Sequence, residues 1–226
     1  MSERYIWVIP DNQSRWIWKY FAIHLARKMG MRPVLIVASQ EDHKFYAKQG
    51  DSLFPGEIIL RDDYYGHLVK RHVDKVMEPE VVFRLARDYE ERYQISLMRS
   101  MLLADRHLGR GFVPGAAGYP RSSISDSANI VNSLTACLHS IKFWEQLAEI
   151  HPPSLVISNG GGGGLAGKPY ALLCRELGIP MRILFSSRFG NSYFWGHDEF
   201  GGFPELEKLL ESFPLPTNSE IESVRR

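Results

Sequence analysis

Ser154-Leu-Val-Ile-Ser-Asn-Gly-Gly-Gly-Gly-Gly-Leu-Ala-Gly-Lys-Pro169 is the stretch that decides the fold. A short apolar run closes at Ser158, Asn159 follows, and five glycines, Gly160 to Gly164, lead toward a helical pattern from Pro169 to Leu177. This reads as strand, glycine loop, helix. Ordering consecutive glycines is entropically expensive, and a chain tolerates it where backbone must take φ > 0 or lie against a ligand or another segment. At the carboxyl end of a strand in an open α/β sheet, that is the ligand-binding position. Free N–H groups of the loop and helix start are suited to an anion or a sugar hydroxyl. The plainer alternative is an ordinary surface loop.

Working outward, the same alternation recurs. Tyr5–Ile9 is an apolar strand, and Pro10 to Ser14 is a turn. Trp16 to Met29 has helical spacing, with Trp18, Phe21, Ala22, Leu25 and Met29 inward, and Gly30 stops it. Pro33 to Ala38 is a second strand, apolar throughout and so buried on both faces. That is one βαβ unit, which implies parallel strands and a right-handed crossover. Glu41 to Lys48 predicts a short helix and Glu57 to Leu60 a third strand. Helices are expected from Pro79 through Tyr93, from Ile95 to His107, and from a cap at Asp126 to Ile150. Gly109 to Ser123 is irregular, Met181 to Phe185 is a further strand, and Glu205 to Phe213 a last helix. Pro214 to Arg226 reads as a linker or frayed tail. The expected class is therefore α/β, a Rossmann-like parallel sheet flanked by helices. Residues 1–203 form the domain, and 204–226 form a C-terminal helix and tail.

Composition narrows the function. The 226 residues can bury a substantial core, and 44% hydrophobic with 23% charged residues is ordinary for a globular protein. A net charge of +1 argues against a general nucleic-acid binder. Met1 to Ile6 lacks a signal-peptide core, and no apolar run approaches the ~20 residues that span a membrane. A cytoplasmic location is expected, with Cys137 and Cys174 reduced in the core. His24, His43, His67, His72 and His151 have no metal-ligand spacing, and no G-x-S-x-G is present.

Four constellations carry candidate chemistry. The glycine run fits G-x-G-x-x-G at Gly162, Gly164 and Gly167, a match nearly automatic in polyglycine. The strand after it ends at Ser186-Ser187-Arg188, so an NADP-dependent oxidoreductase remains an alternative, with Arg188 on the 2′-phosphate. Gly162 to Lys168 fits G-x-x-x-x-G-K, but Pro169 stands where a P-loop needs Ser or Thr, which excludes an NTPase. Arg106, His107 and Arg110, at a helix end, offer phosphate or carboxylate contact and proton transfer, or serve as cationic capping. Ser187 to Gly202 mixes aromatics with Asn191, His197, Asp198 and Glu199, a composition that suits a sugar. Trp195 is the expected stacking residue there, and Phe194 the expected hydrophobic plug. Asp11 and Asn12, after the first strand, share the carboxyl edge with the glycine loop; Asp11 is a candidate general base or a turn residue.

Leu103-Ala-Asp-Arg-His-Leu-Gly-Arg-Gly111, Asn159 with its glycines, and Arg188-Phe-Gly190 with Tyr193-Phe-Trp195 together resemble the N-terminal half of bacterial capsule and surface-polysaccharide biosynthesis proteins, which are similar to GT-B glycosyltransferases. The resemblance spans roughly residues 5 to 203. It implies one half of a GT-B fold, with acceptor and base on this side of a cleft and the nucleotide-sugar donor on a second domain or partner subunit. No cofactor or bound metal is implied. Asp11, His107 and Asp198 become base candidates. Asn12, Arg106, Arg110, Asn159, Gly160, Gly161, Gly162, Gly163, Gly164, Arg188 and Trp195 would line the cleft. The implied acceptor is a glycan or glycolipid, which allows peripheral association with the inner face of the cytoplasmic membrane. The chain carries no second sugar-nucleotide domain, so the resemblance implies a fragment or one subunit of a split enzyme. A non-catalytic glycan- or partner-binding module is the remaining alternative.

Overall fold

Strands that are apolar at successive positions are stable only with both faces covered. The computed structural model describes residues 3–11, 15–48, 54, 56–61, 77–105, 130–159, 164–186, 193–198 and 201–212. In it, β1 (Tyr5–Ile9), β2 (Arg32–Val37), β3 (Glu57–Leu60), β4 (Pro153–Asn159), β5 (Met181–Ser186) and β6 (Tyr193–Gly196) form one sheet in the order β3-β2-β1-β4-β5-β6. The first five strands are parallel, and β6 pairs antiparallel to β5. This is a Rossmann-like α/β sheet, with the strand order reversing between β1 and β4.

Side chains alternate across it as a pleat requires. Ile6, Val8, Leu35, Val37 and Ile157 face one way, packing with Trp18, Ala22 and Ala26 of α1 (Arg15–Met29) and Tyr46 of α2 (Gln40–Lys48). Trp7, Val34, Ile36, Val156 and Ile183 face the other, against Trp144 and Leu147 of α4 (Ile130–Ile150) and Tyr170, Leu173 and Cys174 of α5 (Gly164–Leu177). Trp7 is fully buried, and its indole N–H donates to the His151 carbonyl at 2.9 Å, the partner a buried Trp needs. Beyond α4 and α5, a further apolar cluster is built by α3 (Pro79–Tyr93) and the segment Leu97–Leu102, with Val82, Ala86, Tyr93, Met101, Leu134 and Ile141 buried. α6 (Pro204–Ser212) presents exposed side chains at every described position.

Several expectations change. Spacing predicts Met29 inward, but it lies exposed at the helix end, where Ala26 takes the core position. The helix expected over Ile95 to His107 is a π-helical turn at Met98–Leu102, with the described chain running on to Asp105. Gln94 enters the left-handed region at φ 53 and ends α3, and the Leu97 amide then donates to Glu90 Oε1 at 2.7 Å. The aromatic stretch after Phe185, for which spacing predicts no element, contains β6, held by its pairing to β5 and not by its own pattern. α5 begins at Gly164, five residues before the expected start, with Pro169 inside it. Pro169 lacks the N–H that would reach the Leu165 carbonyl. Ser140 Oγ of α4 donates to that carbonyl instead, at 2.7 Å, so the proline leaves no orphan acceptor.

Candidate functional site

Parallel strands deliver their carboxyl ends to one edge, and the crevice forms where strand order reverses. Here that place lies between β1 and β4. Ile9 is in register with Ser158. Asp11 follows two residues beyond Ile9, and Asn159 closes β4. The Asn159 amide nitrogen, Nδ2, donates to Asp11 Oδ2. Two residues separated by 148 positions thus meet at the switch point of the sheet, as the topology requires. Both residues are partly buried.

Next to Asp11 on the β2 side is an ionic cluster at the N-terminal ends of α1 and α2. Arg15 Nε lies 2.6 Å from Asp42 Oδ1, and Arg15 Nη1 lies 2.9 Å from Glu41 Oε1. Ser39 Oγ donates to Asp42 Oδ2 at 2.6 Å and accepts from the Asp42 amide at 3.1 Å, an N-terminal cap for α2. The Arg15 guanidinium is held protonated chiefly by its hydrogen bond to Glu41, against some desolvation. Below it Tyr46 is buried, and among the described residues its hydroxyl has no hydrogen-bond partner. Burial pushes that phenol up, and the charges of Asp42 and Asp11 push in the same direction.

On the β4 side, Asp105 takes the start of α5. Its Oδ2 accepts the Leu165 amide at 3.1 Å, and the residue is 5% exposed. Gly164, at φ +65, lies directly against it: a Cβ built there would come 2.5 Å from Asp105 Oδ2 and 3.1 Å from its Cα. The segment that carries Leu103 to Asp105 therefore abuts the end of the glycine run. Spacing alone gives Asp105 no role. The signal that points to it is a lack: five glycines before Leu165 offer no side-chain cap, so the cap must come from elsewhere in the chain.

The other expected site residues are distributed as follows. Gly164 is at the α5 start. Asn12, Arg106, His107, Arg110, Gly160, Gly161, Gly162, Gly163 and Arg188 lie outside the described residues. Trp195 stacks on Phe21 of α1, with ring centroids 5.8 Å apart, and joins the α1-side core. Phe194 points to the opposite face and stacks on Phe185 at 5.4 Å. Trp195 thus has the plug-like packing expected of Phe194. Because β6 runs antiparallel, the chain leaving it heads toward the amino end of β5, away from Asp11 and Asn159. Asp198 sits in the turn after β6, where its Oδ1 accepts the Gly202 amide at 2.8 Å. Trp195 pairs with Leu184, which pairs with Asn159, so it stays level with the carboxyl end of β4, and the chain beyond it runs back along β5; Gly160 to Gly163, which the aromatic stretch is expected to border, lie outside the described residues.

Among the described residues, no group of His, Cys, Asp or Glu is arranged to hold a metal ion, and no helix is long and apolar enough to cross a membrane. Cavities of about 360 and 320 Å³ lie along α4, lined by His139, Lys142 and Gln146, and neither includes Asp11, Asn159 or Asp105.

No protein-family model and no curated protein matches this chain. Among solved structures it is similar to UGT2 of Phytolacca americana, complexed with UDP-2fluoro-glucose and pterostilbene, with a TM-score of 0.39 and 10% sequence identity. The likeness covers 83% of this chain and 31% of that one, so the chain spans about a third of that protein's length.

Proposed function

We propose that this chain is the acceptor-side half of a glycosyltransferase that moves a sugar from a nucleotide-sugar donor to a glycan or glycolipid in capsule or surface-polysaccharide biosynthesis. The observation that carries the reading is the Asp11–Asn159 pair at the sheet's switch point. Asp11 is the base: it takes the proton of an acceptor hydroxyl as that oxygen bonds to the sugar's anomeric carbon and the bond to the donor phosphate breaks. Asn159 fixes the carboxylate's orientation through its bond to Oδ2. The donor belongs to a second domain or partner subunit. His107 and Asp198 are the less favoured bases. Asp198 stands on a turn that leads away from this rim.

The test is sugar transfer to an oligosaccharide acceptor, with the chain supplied together with a donor-binding half. Asp11→Asn and Asp11→Ala should lower kcat at least about 100-fold with circular dichroism unchanged. Undiminished transfer in both variants would remove the assignment. Saturable glycan binding without any transfer would leave the non-catalytic module, and a tight NADPH titration by nicotinamide fluorescence would favour the oxidoreductase.

A further inference from the structure

A helix that starts behind a glycine loop, at the carboxyl edge of a Rossmann-like sheet, is ordinarily a phosphate site, because its first N–H groups are unpaired and its dipole favours an anion. In this chain an internal carboxylate stands there. Asp105 is buried at the start of α5, accepts the Leu165 N–H at 3.1 Å, and fills the space directly over Gly164. The left-handed φ of Gly164 and the missing Cβ both serve this contact, so at least one glycine of the run is accounted for by the protein's own side chain. The negative field of Asp105 extends into the layer behind: burial raises the Cys137 thiol, and the charges of Asp105 and Glu90 raise it further.

We propose that Asp105 is a specificity determinant that closes the N-terminus of α5 to phosphate and pyrophosphate groups, so that the ligand admitted at this rim is one without phosphate at the glycine-loop helix. Asp105 holds the Leu165 N–H and the volume over Gly164, and its negative charge opposes an anion approaching the neighbouring N–H groups of the helix start. The inference goes beyond the sugar-transfer reading and does not depend on it, since it concerns occupancy of one helix end and not a reaction.

The experiment is a titration of the isotopically labelled chain with inorganic pyrophosphate, read at the Gly164 and Leu165 amide resonances. The wild-type chain should show no saturable shift at these two amides. Asp105→Ser, which removes the charge and most of the volume, should show one, with apparent affinity at least about tenfold above wild type. Asp105→Asn keeps an acceptor for the Leu165 N–H and should show a smaller gain; it decides the matter if the serine variant does not fold. Saturable shifts at Gly164 and Leu165 in the wild type overturn the proposal, and so does the absence of any gain in the variants that fold. Loss of sugar transfer with these amides silent would count against the function and leave the role of Asp105 standing.

Discussion

Gly164 and Gly178 have the same backbone conformation, φ +65, and opposite surroundings. Nothing lies within 4 Å of a Cβ added at Gly178, whereas at Gly164 such an atom meets the buried Asp105. Gly178→Ala should therefore cost only the backbone term, about 1 kcal/mol. Gly164→Ala adds a collision that Asp105 cannot yield to without losing the Leu165 bond, and should cost about 2 kcal/mol more. Urea midpoints of the two variants, at unchanged m, measure the difference; equal losses would mean that Asp105 does not press on the helix start. The Tyr46 hydroxyl makes the reverse case. It is buried without a partner among the described residues, in the field of Asp42 and Asp11. Tyr46→Phe removes an unsatisfied group and keeps the ring, so stability should stay within about 0.5 kcal/mol of wild type or rise. A loss above about 1 kcal/mol would show that the hydroxyl is bonded in solution.

At the scale of elements, the starts and ends of the helices explain what the sequence did and did not disclose. Helices α1 and α3 were legible because their apolar positions recur at helical spacing, with Gly30 after the end of α1 and Pro79 in the first turn of α3. The same rule misplaced α5. Proline is favoured in the first helical turn, so Pro169 looked like a beginning, yet the helix runs through it. The reason lies in another element: Ser140 of α4 donates to the carbonyl that the proline leaves open. Ser140→Ala should cost about 1–3 kcal/mol, since it strands a buried acceptor. Pro169→Ala restores the backbone N–H, so in that background the Ser140→Ala loss should fall below about 0.5 kcal/mol. A double-mutant cycle read by thermal unfolding checks this; additive losses would mean that the two groups are not compensating for each other. β6 escaped notice for a related reason, since a four-residue edge strand is specified by the neighbour it pairs with.

For the molecule as a whole, the alternation of strands and helices was enough to expect a parallel sheet, and from that the meeting of Asp11 with the Asn159 loop at one edge. Strand order and the long-range cap by Asp105 were not legible, because both are set by contacts between segments that no local spacing encodes. Whether the sheet and its helical layers unfold together is tested by alkali. Tyr46 is buried on the α1 side of the sheet, and Tyr93 in the α3–α4 layer behind the other face. Tyr89 stacks on Tyr93 and donates to Glu145 Oε2 at 2.7 Å. Burial raises all three phenols first; Asp42 raises Tyr46 further, and Glu145 raises Tyr89 and Tyr93. A phenol with a raised folded-state pKa keeps a proton that the unfolded chain releases above its ordinary value of about 10, so the native state binds more protons there. Stability is therefore complete below about pH 10 and declines as pH rises beyond it. Of the ten tyrosines, at least these three should ionise together, and only as the far-ultraviolet circular dichroism is lost. If phenolate absorbance instead reaches its full amplitude near pH 10 with the dichroism intact, the interior on both faces admits charge, and the sheet does not seal its two sides. Release of Tyr89 and Tyr93 before Tyr46, resolved by Tyr46→Phe, would show that the helical layer opens separately from the face that carries Asp11.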